Sequence, residues 1–302
     1  MKWVNPGIAE VVDIHTDAET KRNTNSTQTH TGYEIRVPSG AQLYTKVPQL
    51  KEGWMSFDFR GSPQRADDKG RLILFKALNN TLTTYFSLEV LYSTHQLTVR
   101  NGDGGVVYTS EKALGINDDT LTNIEVHFKM GEEGRIDVWE NTKLFCSYRS
   151  PSFFPDVGVD YLGLRGNWFA FTDYYVSSII IQDTRRIGLE KFKKLTIDPE
   201  TEQNMPMGST TTYKLSGLSD ATEFSDITSV CAVLQATSRD ANLTTGTYSI
   251  NGADVGTIDV SDSSGKAYEI AHSESNSVTG KPWVRDDIEG KTLSFTVNGT
   301  AG

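Results

Sequence analysis

LTNIEVHFKMGEEGRIDVWENTKLFCSY, residues 121–148, settles the fold class. Ile124, Val126, Phe128 and Met130 alternate with Glu125, His127 and Lys129, the period of two expected of a strand with one buried face. Gly131 and Gly134 supply the positive φ of a tight turn, and Asn141 does the same at the next one. In RIDVWE, Ile136 and Val138 fill one face, which leaves Asp137 and Trp139 as a solvent-side pair and His127 as a surface histidine. The stretch reads as an antiparallel meander.

The same grammar runs outward in both directions. Met55, Phe57 and Phe59 alternate with Ser56, Asp58 and Arg60 in WMSFDFR (54–60), shorter runs follow in QLTVR (96–100) and VYTSE (107–111), and YYVSSIIIQ (174–182) closes the first domain. Turn clusters such as RGSPQRADDKG, RNGDGG and GINDD separate them. About 14 strands exceed what one twisted sheet holds, so two sheets packed face to face in a jelly-roll sandwich are expected. Residues 1–40, with KRNTNSTQTHTG, are poor in core formers and read as an N-terminal arm or an edge segment. The jelly roll then occupies 41–185.

Between 184 and 195, TRRIGLEKFKKL gathers Arg185, Arg186, Lys191, Lys193 and Lys194. They form either a solvated linker, placed at 186–204, or a surface that docks an acidic partner. Beyond the Pro- and Gly-containing DPETEQNMPMGS, a second β pattern spans 205–302: TYKLSGL, SVCAVLQATSR, TYSIN, AYEIAHS and TLSFTV. KPWVRDDIEG interrupts it as one helical turn ending at Gly290. The expectation is a small β-sandwich domain.

The 302 residues carry 29 Lys and Arg against 39 Asp and Glu, a formal net charge of −10. That balance repels phosphate backbones and argues against nucleic-acid binding. No apolar run reaches the roughly 18 residues of a membrane span, and MKWVNPGIAEVVDIH lacks the basic-then-apolar order of a signal peptide, so synthesis in a cytoplasm is expected. Cys146 and Cys231 read as free thiols in separate domains.

Candidate chemistry is sparse. A glycosidase needs two carboxylates at close spacing; Asp137 and Glu140 are at hand, but on opposite parity. No two of His15, His30, His95, His127 and His272 have metal-ligand spacing, so neither a catalytic group nor a cofactor is expected. Calcium is the one ion that the acidic turns at Asp67, Asp68, Asp103, Asp118 and Asp119 could hold. For a glycan, RGNWFAFTDYY (165–175) offers Trp168 and Tyr174, and the preceding meander offers Trp139, as aromatic platforms.

The order WMSFDFR, LILFKAL, YFSLEVL, QLTVR, the meander, YLGLRGN and YYVSSIIIQDT resembles the concanavalin A-like lectin/glucanase, or laminin-G-like, jelly roll. Glucanases of that family use E-x-D-x-x-E; here Arg135 stands at the first position, with Asp137 and Glu140 at the others. The resemblance therefore implies binding or a structural role. MGSTTTYKLSGL, SVCAVLQATSRDA, GTYSINGADVGTIDVS and VTGKPWVRDDIEGKTLSFTV, with Pro282 and Trp283, resemble the small β domain that follows such a module in tailed-bacteriophage virion proteins. That implies a non-enzymatic virion component, either a tail or baseplate appendage or a capsid decoration or head fibre. It would contact other virion proteins and its own copies, most readily as a trimer. A lectin-like host-adhesion module is the alternative, and a glycoside hydrolase using Asp137 and Glu140 is the third reading.

Overall fold

The computed structural model describes residues 1–23, 29–61, 70–91, 93–116, 121–166, 173–188, 190, 192–198, 205–218, 226–236, 243–259 and 267–299. The chain is nearly all β and divides into two compact units, Met1–Phe192 and Lys193–Gly302. The division falls inside the stretch read as a linker.

In chain order the first unit contains β1 (Lys2–Asn5), β2 (Ile14–Thr16), β3 (Glu19–Arg22), β4 (Tyr33–Val37), β5 (Gln42–Leu50), β6 (Glu52–Arg60), β7 (Arg71–Leu78) and β8 (Thr84–Leu91). It continues with β9 (Gln96–Asn101), β10 (Val106–Ala113), β11 (Thr122–Lys129), β12 (Arg135–Glu140), β13 (Lys143–Arg149), β14 (Val159–Arg165) and β15 (Tyr174–Gln182). Eight strands form one antiparallel sheet, ordered β13-β12-β11-β6-β15-β4-β3 with β1 also paired to β15; seven form the other, ordered β10-β9-β8-β7-β14-β5-β2. These are called the first and the second sheet below. One core lies between them: Phe57, Phe59, Val126 and Phe128 from the first meet Leu74, Phe75, Phe86 and Leu88 from the second. The Phe128 ring lies 6.2 Å from both Phe75 and Phe86, within the range of favourable ring contacts.

Of the two readings of residues 1–40, an arm or an edge segment, the second describes the structure: the strands of the segment pair with β15, β5 and β4 of the same chain, and β3 and β2 end the first and second sheets. Thr31 donates from its hydroxyl to the Pro6 carbonyl at 2.7 Å and ties the segment to itself. Ala9, Val12, Ile35 and Val37 of the segment are buried in the shared core, so apolar burial and side-chain hydrogen bonding both hold it. One expectation is corrected. In the meander, Gly131 and Asn141 take positive φ (87° and 47°). Gly134 serves close packing instead, since a Cβ there would stand 2.3 Å from the Phe154 ring.

The second unit comprises β16 (Thr196–Asp198), β17 (Thr210–Ser216), β18 (Val230–Ala236), β19 (Leu243–Ile250), β20 (Ala253–Asp259), β21 (Ala267–Ser273), β22 (Ser275–Asn276), β23 (Lys281–Pro282) and β24 (Thr292–Gly299). A five-stranded sheet, β16-β17-β24-β19-β20, and the separate β18–β21 pair share a core of Leu215, Tyr248, Phe295, Ala271 and Trp283. The turn after Trp283 is a 3-10 turn, Arg285–Asp287, and Gly290 follows at φ 69°. Cys146 and Cys231 are free, one in each unit, and burial pushes both thiols up to about 12.

Candidate functional site

The outer faces of the two sheets of the first unit differ in one respect that decides where a ligand could sit. On the first sheet the charged groups of β11 and β12 are taken up by partners of the same chain. His127 is buried beneath Trp54, with ring centroids 4.3 Å apart. Its Nδ1 lies 3.1 Å from Asp137 Oδ2 and its Nε2 2.9 Å from Glu52 Oε1. Ser147 Oγ donates to Asp137 Oδ1 at 2.5 Å. Burial alone would raise the Asp137 carboxyl, but the hydrogen bonds from His127 and Ser147 and the charge of Arg135 outweigh it and hold the group below its usual range. Asp137 and His127 are thus a buried network, not the solvent-side residues that alternation suggested. Alternation separates the two faces of a strand and does not say whether the outer one is covered.

What helps to cover it is the segment after β15. Glu125 is buried and accepts the backbone N–H of Ile187 (2.8 Å) and Gly188 (3.2 Å), while Arg186 Nε lies 3.2 Å from its carboxylate. Arg186 also donates to the Thr142 carbonyl at 2.8 Å, and its guanidinium lies 4.5 Å above the Trp139 ring. Arg185 pairs with Glu190 at 2.6 Å, and Lys2 pairs with the same carboxylate at 2.7 Å. The first two members of the basic run are therefore paired within the chain. Lys193 and Lys194 are exposed on the second unit, and Lys191 lies outside the described residues.

Of the aromatic platforms, Trp139 is half-buried under Arg186, and Trp168 lies outside the described residues. Tyr174 is corrected: it is buried in the core, its ring 5.3 Å from Phe59. It pairs with Val37, whose side chain is also buried in that core, which gives the outward position to Tyr175; the Tyr175 ring lies 4.1 Å from the Arg60 guanidinium. Glu140 accepts the Gly115 N–H. Asp103 is exposed in a turn, and the other four aspartates considered for calcium lie outside the described residues. Among the described residues no group of three or more His, Cys, Asp or Glu side chains is arranged to hold a metal ion.

The second sheet is built differently. Register places Tyr44, Gly163, Lys76, Ser87 and Arg100 opposite one another on the five adjacent strands β5, β14, β7, β8 and β9. The next row holds Gln42, Arg165, Ile73, Glu89 and Thr98 on the same strands. Directly opposed residues share a face with their Cβ atoms about 5 Å apart, so these two rows form a continuous polar surface. Its floor is buried, with Tyr44 at 2% exposure, Ser87 at 4% and Glu89 at 8%, while Arg71, Lys76, Arg100, Tyr161 and Arg165 are half-buried around it. Gly163 is required there, because any Cβ would meet the Leu43 carbonyl oxygen at 1.9 Å and the Tyr44 ring at 2.8 Å.

Glu89 is engaged by Arg100 at 2.7 Å and Arg71 at 3.6 Å, and Ser87 Oγ donates to it at 3.3 Å. Lys76 makes no ion pair within 4 Å among the described residues. Burial, reinforced by the charge of Arg165 and opposed by Glu89, lowers its pKa. Burial likewise raises the Tyr44 hydroxyl, against the pull of Arg165, so Tyr44 is a neutral hydrogen-bond donor near pH 7. Sequence reasoning passed over these residues because each looks like an outward polar position of an ordinary strand. A signal was present nonetheless: Lys76 in RLILFKAL and Glu89 in YFSLEVL are charges set into strongly apolar runs.

No family model and no curated protein matches the chain. Among solved structures, the chain is similar to an endo-β-1,4-glucuronan lyase from Trichoderma reesei (11% identity, TM-score 0.46, covering 60% of this chain and 95% of that one). It is also similar to a protein with a galectin-like fold from Bacillus subtilis (13%, TM-score 0.41, 61% and 96%) and to a galectin from Caenorhabditis elegans (13%, TM-score 0.34, 53% and 99%).

Proposed function

We propose that the first unit is a non-catalytic carbohydrate-binding module and that its ligand lies along the Tyr44–Arg100 row of the second sheet. The observation that supports this is the contrast between the faces: on one, Glu125, His127 and Asp137 are engaged by their own chain, while the other keeps a lysine without an ionic partner among the described residues, over a buried polar floor. Convergent donors and acceptors beside an aromatic ring are what a sugar's hydroxyls and apolar ring face require. Hydrolysis would need two carboxylates flanking one bond. Glu89 is held by two arginines, and Asp137 belongs to the first sheet, which speaks for binding.

A glycan array probed with the purified chain tests the reading. Binding to at least one saccharide is expected, weakened about tenfold by Tyr161→Ala, which removes a half-buried ring beside the row and a worth of about 1.4 kcal/mol. Trp139→Ala on the opposite sheet is expected to leave binding unchanged. An array without signal, or one silenced by Trp139→Ala instead, overturns the assignment.

A second reading sets the chain in a phage particle. Its support is the sequence resemblance together with the free edges β10 and β13, which meet through Tyr108 and Tyr148 (ring centroids 5.6 Å) and expose Val106, Val107 and, at 60%, Leu144. Open edge strands with apolar side chains suit strand-to-strand assembly with neighbouring subunits. Cross-linking mass spectrometry on whole virions is expected to join Lys112 or Lys143 of these edges to another virion protein or to a second copy. Particles that lack the chain remove this reading.

A further inference from the structure

Resting on the carbohydrate-binding reading, we infer that the ligand is an acidic polysaccharide, its carboxylate or sulfate groups received by Lys76 and Arg165 with Arg100 as the next cation along the row. The described residues of this face set four cations, Arg71, Lys76, Arg100 and Arg165, around the single carboxylate of Glu89, in a chain whose net charge is −10. A neutral sugar gives no reason for such an excess, since its hydroxyls are satisfied as well by Ser, Thr, Asn or Gln. Glu89 is already committed to Arg100 and Arg71, so it does not discharge Lys76.

Holding the Lys76 ammonium beside Arg165 in a half-buried position opposes its charged form. An incoming anion reverses that penalty, and the site is thereby prepared for negative charge before the ligand arrives. Lys76 on β7 and Arg100 on β9 are two strands apart, about 10 Å. A ligand that meets both carries its charges at intervals, as a polymer of acidic sugars does and a single small anion does not.

The test is titration calorimetry on the full chain with polygalacturonate, carboxyl-reduced polygalacturonate, dextran sulfate, dextran and an oligothymidylate. Polygalacturonate or dextran sulfate is expected to bind at least about tenfold more tightly than its uncharged counterpart, with affinity falling as salt is raised. Which of the two binds distinguishes carboxylate from sulfate. Lys76→Gln is expected to lose about tenfold in affinity while its melting temperature does not fall, whereas Lys193→Gln, an exposed lysine of the second unit, changes nothing. Equal binding of the charged and uncharged polymers overturns the acidic preference and leaves the carbohydrate reading standing. Equal losses from the two lysine variants, or an oligothymidylate that binds as well as the polysaccharides, overturn the site. Binding of none of the polymers, together with a silent array, overturns the carbohydrate reading as well.

Discussion

Phe128→Ala is expected to lower the unfolding free energy of the first unit by about 3 to 5 kcal/mol, the range for deleting a fully buried phenylalanine. Phe128 is fully buried on β11 and reaches across the sandwich to Phe75 and Phe86 of the other sheet, while a Cβ on Gly53 would stand 3.0 Å from its ring. The Phe75 and Phe86 rings and the close backbone at Gly53 leave little room for collapse into the space, which puts the cost toward the upper end. Urea unfolding followed by circular dichroism checks it: the midpoint should drop at unchanged slope. A loss below about 1 kcal/mol, in the range of an ordinary surface change, would mean that the two sheets do not meet through this ring.

Trp283→Ala is expected to destabilise the second unit by about 3 to 5 kcal/mol, and Trp283→Phe by far less. Trp283 is buried among Ile250, Val255, Leu293 and Phe295 in the second core, and its indole N–H has no hydrogen-bond partner among the described residues. The indole therefore contributes apolar volume and bears a desolvation penalty that phenylalanine would not carry. Differential scanning calorimetry should show the transition of the second unit move to lower temperature in Trp283→Ala, while the transition affected by Phe128→Ala stays in place. A single transition displaced by both variants would mean that the two cores do not melt independently.

Alternation and turn chemistry in residues 54–60 and 121–148 made the β class and the layered sandwich legible, because period two is a local property that each strand displays by itself. The basic run and the Pro- and Gly-containing stretch after it read as a linker from composition, and the division into two units falls inside that linker. Resemblance alone raised a virion setting, and that setting stays a proposal.

Other features were legible only in part. Composition left open whether residues 1–40 would dock, since their attachment combines strand pairing and the Thr31–Pro6 hydrogen bond with the burial of a few scattered apolar residues, Ala9, Val12, Ile35 and Val37. Aromatic content drew attention to Tyr174, yet register against Val37 turns that ring inward.

The sequence by itself determined which side chains lie on the same face of each strand, and with that the sandwich and its core. Only the tertiary structure decided that Glu125 is buried under the segment after β15, that His127 and Asp137 are buried among Trp54, Glu52 and Ser147, and that Tyr44, Lys76, Ser87, Arg100 and Arg165, drawn from five strands spread along the chain, stand together on one face. The physical reason is that alternation is set between neighbours two residues apart, whereas the order of strands in a sheet, and the charge environment it creates, arises from pairings between residues far apart in the chain.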